Sequence, residues 1–122
     1  MASVTKEPQA SVDSMPIDTV TILAIADQAL AMSLSTSTRE DIDLRTTRLI
    51  GCLGLLLAED LGAEQDEDVL KLFQMVYKHL DLPGRPSRST PTFAAFEYMT
   101  DTATFTKAVL KAYAKKNEIS LP

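Results

Sequence analysis

Along this chain apolar residues recur at intervals of three and four, and no segment alternates apolar with polar residues as a convincing strand would. Such spacing is the period of an α-helix. In the first segment, 18–34, Ile22, Ile25, Ala29 and Met32 form a stripe that Leu23, Ala26 and Leu30 widen. Asp18 stands before it, where a carboxylate accepts from a free amide two or three residues on. After a loop rich in serine and threonine, Ser37-Thr38-Arg39-Glu40 has the order of a capping box, serine at the cap and glutamate three residues later. It predicts a second helix over 38–61. Ile42, Leu49, Leu53, Leu56 and Leu57 face inward, Arg45 and Arg48 face water, and Gly62 supplies the left-handed residue at the end.

A third helix is expected over 66–82. Asp66 caps it, Glu67 and Asp68 complement the dipole of its first turn, and Val69, Leu72, Phe73, Val76, Tyr77 and Leu80 make its apolar face. Pro83-Gly84 ends it, and the stretch PGRPSRSTP follows as the longest loop. Thr90-Pro91 then reads as N-cap and first helical position of a fourth helix over 91–116. Its stripe is Phe93, Phe96, Met99, Ala103, Leu110 and Tyr113. The middle of that segment, Thr100 to Thr106, is a poor helix former, so Asp101 is an alternative cap for a separate fifth helix. The pattern predicts an all-α fold: a four-helix antiparallel bundle, or a five-helix one if Asp101 starts its own helix. Residues 17–122 form one helical domain, and residues 1–16, short of large apolar groups, are expected to be a flexible tail.

Composition narrows the chemistry. An apolar fraction of 45% excludes a wholly disordered chain. Cys52 is the single cysteine, so no intramolecular disulfide forms and cysteines cannot build a zinc site. The longest apolar run, Leu49 to Ala58, falls short of the roughly 20 residues that span a bilayer. The N-terminal stretch has no apolar core of a signal peptide, and a cytoplasmic location without membrane attachment is the expectation. Residues 18–82 carry five bases against twelve acids, and residues 83–122 six against three. Phosphate binding draws on positive surface, so an acidic main body argues against nucleic acid as a partner.

The candidate site residues each have a structural reading beside the functional one. His79 is the only histidine, and with Tyr77 it is a catalytic candidate; a cation favoured at a helix C-terminus by the dipole is the preferred reading. The carboxylates from Glu59 to Asp68 lack the ligand order of a calcium loop, so no metal is expected. Gly51 and Gly54 lie inside the second helix, each costing up to about 1 kcal/mol against alanine. With Thr47 and Ala58 they leave one face short of side chains. Something should approach closely there, either the first helix through Ala24, Ala26, Ala29 and Ala31, or a ligand. Phe93 and Phe96, with Tyr98, Phe105 and Tyr113, are core or the lining of an apolar ligand site. There is no phosphate-binding glycine loop and no catalytic triad order, so no cofactor is expected.

The run Leu49-Ile50-Gly51-Cys52-Leu53-Gly54-Leu55-Leu56-Leu57, together with Gln28-Ala29-Leu30-Ala31, resembles a signature of a family of small actinobacterial proteins. That family is a domain of unknown function described as natural product biosynthesis proteins. The resemblance covers about residues 17 to 113 and is specific in the second helix. Cys52 stands where the family pattern has a polar residue, and Ala58 where it has proline. It implies a short helical chain in the setting of secondary metabolism, and it supplies no catalytic residue. Three functions follow in order of expectation. The first is a non-catalytic accessory protein that binds a protein partner, or itself, through an exposed bundle face or the 83–91 loop. The second is a small helical enzyme or ligand-binding protein for an apolar metabolite in the bundle core. The third, a transcriptional regulator, is opposed by the charge balance.

Overall fold

In the computed structural model, which describes residues 17–122, the Asp18 carboxylate accepts from the Thr21 amide at 3.0 Å and from its hydroxyl at 2.7 Å. This cap opens α1 (Thr19–Leu30) as the sequence predicts. The helix stops four residues before the expected end. Ser33, Ser35, Thr36 and Ser37 turn their hydroxyls onto one another and onto the Ser33 carbonyl, and Leu34–Thr36 winds as a single 3-10 turn. Short polar side chains compete in this way with the helical backbone. The tail expected over 1–16 lies outside the described residues.

The second helix, α2 (Arg39–Leu57), is capped one residue later than the capping box predicts. Thr38 Oγ1 accepts from the Asp41 amide at 3.1 Å, while the Ser37 hydroxyl donates back to Ser33. The C-terminal expectation is also corrected. The helix closes at Ala58, and Gly62 with φ of +80° sits beyond it. There the Asp60 carboxylate accepts from the Gly62 amide at 3.0 Å, and the Gly62 carbonyl accepts from Gln65 and Asp66. The left-handed glycine therefore shapes a turn that presses Leu61 into the core.

Asp66 caps α3 (Glu67–Leu80) as expected, its carboxylate accepting from Asp68 and Val69. A 3-10 turn, Leu82–Gly84, follows. The last helix, α4 (Thr92–Lys116), begins after Pro91; Thr90 serves the loop instead, accepting from the Ser87 amide at 2.9 Å. It is one helix of 25 residues, so Asp101 starts no fifth one. The reason lies in packing, which overrides propensity: Met99, Thr102, Ala103, Thr106 and Val109 are buried. Thr100, Thr102, Thr104 and Thr106 each donate to the carbonyl four residues back, at 2.7–3.1 Å, which satisfies their hydroxyls within the helix.

Four helices among the described residues make an all-α bundle with α4 at its centre. It packs along α2 and α1 and over a shorter stretch against α3. One part of the core joins Ala26 and Ala29 of α1 to Ile42 and Leu49 of α2 and to Ala95, Met99 and Ala103 of α4. The other gathers Ile22, Cys52, Leu53, Leu56, Leu61, Val76, Val109, Leu110 and Tyr113. The alanines of α1 thus meet alanines of α4. They do not meet Gly51 and Gly54, which corrects the close approach expected between α1 and α2.

Candidate interaction groove

Inside α2, Ile42, Thr46, Leu49, Cys52, Leu53 and Leu56 are buried, which leaves the opposite side of the helix to be explained. It is less polar than a solvated helix face. Leu44 and Leu55 are 51% and 60% exposed, and a Cβ added at Gly51 or Gly54 would meet nothing within 4 Å. Neither glycine has a positive φ. Nothing in the described fold requires glycine at either position.

Two surface hollows lie along this helix. One, of about 510 Å³, is lined by Arg39, Asp43, Thr46, Thr47 and Ile50 of α2 and by the segment Arg85-Pro86-Ser87-Arg88. The other, of about 520 Å³, is lined by Ile50, Gly54 and Leu57 with Ala58, and across from them by Tyr77, Leu80, Asp81 and Arg85. Ile50 and Arg85 line both, so the hollows adjoin and together outline a shallow groove. Its floor is a single stripe of α2: Asp43, Thr47, Ile50, Gly54 and Leu57 follow at spacings of four and three. This is the spacing at which one helix presents a seam to another. From Asp43 to Ala58 the floor is about 22 Å long, at 1.5 Å per residue. Thr46 and Thr47 donate their hydroxyls to the Ile42 and Asp43 carbonyls, which turns the protons away from the groove.

The far wall is held in place by arginines. Arg39 Nε spans both oxygens of Asp43 at 2.9 and 3.1 Å, Nη2 donates to the Ser87 carbonyl at 2.8 Å, and Nη1 donates to the Thr90 carbonyl. One side chain thereby ties the 85–90 segment to the start of α2. Arg85 Nε donates to the Leu80 carbonyl at 2.8 Å and caps the end of α3.

His79 occupies a different place, between α3 and α4. Its ring stacks on Tyr98 at 4.1 Å between centroids and leans on Phe105 at 5.1 Å. Nε2 lies 2.8 Å from Thr102 Oγ1, and that hydroxyl already gives its proton to the Tyr98 carbonyl at 2.7 Å. Nε2 must therefore be the donor, and in the neutral ring Nδ1 carries the lone pair. Tyr98 closes the arrangement by donating to the His79 carbonyl at 2.8 Å. Burial pushes the imidazole below its usual range, with Asp101 opposing and Arg85 adding to the shift. Burial raises the Tyr98 phenol, against the nearby Arg85.

The sequence candidates are thus separated. Tyr77 and Gly54 share the groove, while His79 shares a shallow hollow with Met75, Lys78, Asp101, Thr104 and Phe105. Gly51 is exposed on α2 beside the groove. Phe93 is 57% exposed on the first turn of α4, and Phe96 is half-buried against the core of Ala26, Ile42 and Met99. No described hollow joins these phenylalanines to the glycines. The glycines open outward and so make no room inside the bundle. Among the described residues no group of three or more His, Cys, Asp and Glu could hold a metal ion, and no helix is long and apolar enough to cross a membrane. The arginines of the groove wall escaped the sequence reading, although the second three-and-four stripe of α2 was there to be found. Comparison of the chain with protein-family models, with curated proteins and with solved structures finds no match.

Proposed function

We propose that this chain is a non-catalytic interaction protein that receives a segment of a protein partner in the groove along α2. The observation that carries this reading is the unpartnered seam Asp43–Thr47–Ile50–Gly54–Leu57, which lines both adjoining hollows. Glycine in an exposed helix interior is a cost that the fold does not return, at Gly51 and Gly54 alike. It becomes intelligible if a second molecule covers this side of the helix, because glycine lets a backbone approach closely. The resemblance of α2 to the actinobacterial family supports a place beside enzymes of secondary metabolism, in the cytoplasm, as an accessory component. His79 is read as a clasp between α3 and α4, since its Nε2 is committed to Thr102 and the ring is wedged between two aromatics.

Site-specific photo-crosslinking in the host cell tests the reading. A photoreactive residue at Thr47 and, separately, at Tyr77, one in each hollow, is expected to capture the same protein. The same residue at Lys111, on the α1–α4 side, should not capture it. Equal capture from Lys111, or none from the groove positions, overturns the reading.

A further inference from the structure

The two ends of the groove differ in chemistry, and that difference says what kind of segment fits. At one end Ile50, Gly54, Leu57 and Ala58 of α2 face Tyr77 and Leu80 of α3, with the Asp81 carboxylate and Arg85 at its border. At the other end three arginines, Arg39, Arg85 and Arg88, stand against one carboxylate, Asp43. That carboxylate is already taken, since Arg39 spans both of its oxygens and spends its remaining donors on the Ser87 and Thr90 carbonyls. Arg39 and Asp43 therefore cancel. Arg85 gives Nε to the Leu80 carbonyl, lies against the Tyr98 hydroxyl and shares its hollow with Asp81, whereas Arg88 is exposed and has no ion-pair partner among the described residues. The charge left over at this end is therefore that of Arg88, on a chain whose net charge is −5.

We propose that the occupant is an amphipathic helical segment of a partner protein, with its apolar face over Ile50, Gly54 and Leu57 and a carboxylate at one end that pairs with Arg88. The proposal rests on the reading of the groove as a protein-docking surface. A guanidinium is a planar fork that matches a carboxylate, and an unpaired one at the end of an apolar trough selects an acidic residue at a fixed distance from the apolar anchors. A helix is favoured over an extended strand because the floor repeats at three and four, the period of helix anchors at i, i+3, i+4 and i+7. The described residues form no sheet whose edge a strand could join. The floor, about 22 Å long, accommodates about 15 residues of helix. Nucleic acid fits less well, because the apolar half offers nothing to a phosphate.

A displayed library of helical peptides, randomised over about 18 positions and selected on the full chain, tests the proposal. Counter-selection uses Gly54→Arg, which places a long side chain into open space and leaves the core untouched. Enriched peptides are expected to carry apolar residues at helical spacing and an excess of Asp and Glu at one end. They should weaken about tenfold or more on Arg88→Glu, the change that a lost charge-assisted pair brings, and weaken as salt rises. Arg88→Glu guards against the structural role of Arg85 at the end of α3. Enriched peptides that are neutral or basic at both ends, or that bind Arg88→Glu as well as the parent, overturn the partner chemistry and leave the docking surface standing. A parent that sediments as a dimer, with Gly54→Arg a monomer, makes a second copy of this chain the occupant and also overturns the partner chemistry. If no enriched peptide distinguishes the parent from Gly54→Arg, the docking surface falls with it.

Discussion

Replacing the glycines of α2 by alanine should make the protein more stable. The sign separates an open face from a packed one. Glycine in the interior of an exposed helix is about 0.8–1 kcal/mol less favourable than alanine, because the unfolded chain has more freedom to lose. In this fold that penalty has no offset, since a methyl group at Gly51 or Gly54 meets nothing within 4 Å and both backbones are ordinary for an L residue. Gly51 lies in the helix interior, so Gly51→Ala should gain close to the full amount. Gly54 lies nearer the end of α2, where fraying dilutes propensity, so Gly54→Ala should gain somewhat less. Together they are expected to raise stability by about 1.5 kcal/mol. For a domain of this size that corresponds to a melting temperature higher by roughly 5 °C. Urea unfolding followed by circular dichroism reads the gain, and repeating it across a hundredfold range of protein concentration separates any association from intrinsic stability. A lower urea midpoint for Gly51→Ala would mean that atoms do crowd this face. The open groove, and the partner argument built on it, would then be refuted. Gly54→Leu sharpens the contrast: it should leave stability unchanged or raised while it blocks the seam for a partner.

Further outcomes follow from the rest of the bundle. Leu53→Ala should cost about 2–5 kcal/mol because that side chain is fully buried, whereas Leu55→Ala, two residues on and largely exposed, should move the urea midpoint little. His79 is held below its ordinary range in the fold, so the unfolded chain takes up a proton first as the pH falls. Stability should therefore be full above the unfolded value of about 6.5, decline as the pH drops below it and level off under the folded value. Denaturation midpoints of His79→Gln should show a flatter profile between pH 7 and 5. Glu118 holds the left-handed position after α4, with φ of 54°, while Ile119 donates to the Ala114 carbonyl at 2.8 Å. Glu118→Gly should raise the melting temperature by a few degrees, since glycine avoids a strain of about 1 kcal/mol there.

The elements and much of the core were readable from spacing alone, because burial on α1, α2 and α4 follows the three-and-four repeat that Ile22, Leu49, Leu53 and Met99 announce. Caps proved less exact. Ser37 and Thr38 were both able to cap α2, and Thr90 stood ready for α4; the choice was made by what else each could bond. The Thr-rich stretch of α4 looked like a break because propensity scores each threonine by itself, whereas Thr102, Ala103 and Thr106 are buried against the other helices, which overrides it. The candidate site was legible in part. Gly54 and Tyr77 stood out, but joining them depends on where α3 ends against α2. The arginines entered through a loop of three prolines, whose path no periodicity describes.

Val76 is the only fully buried residue of α3, against nine buried along α4. Sub-global opening begins where least apolar surface is exposed by it. Amide hydrogens of α3 should accordingly exchange well before those of α4, with the His79–Thr102 and Tyr98–His79 hydrogen bonds breaking as the helix lifts. The same movement carries Tyr77, Leu80 and Asp81 away from Ile50 and Gly54, so one side of the trough is hinged while its floor is fixed. A surface of that construction adjusts its width to different side chains without disturbing the core. On the docking reading proposed above, it would serve several related ligand helices, at the expense of tight discrimination among them.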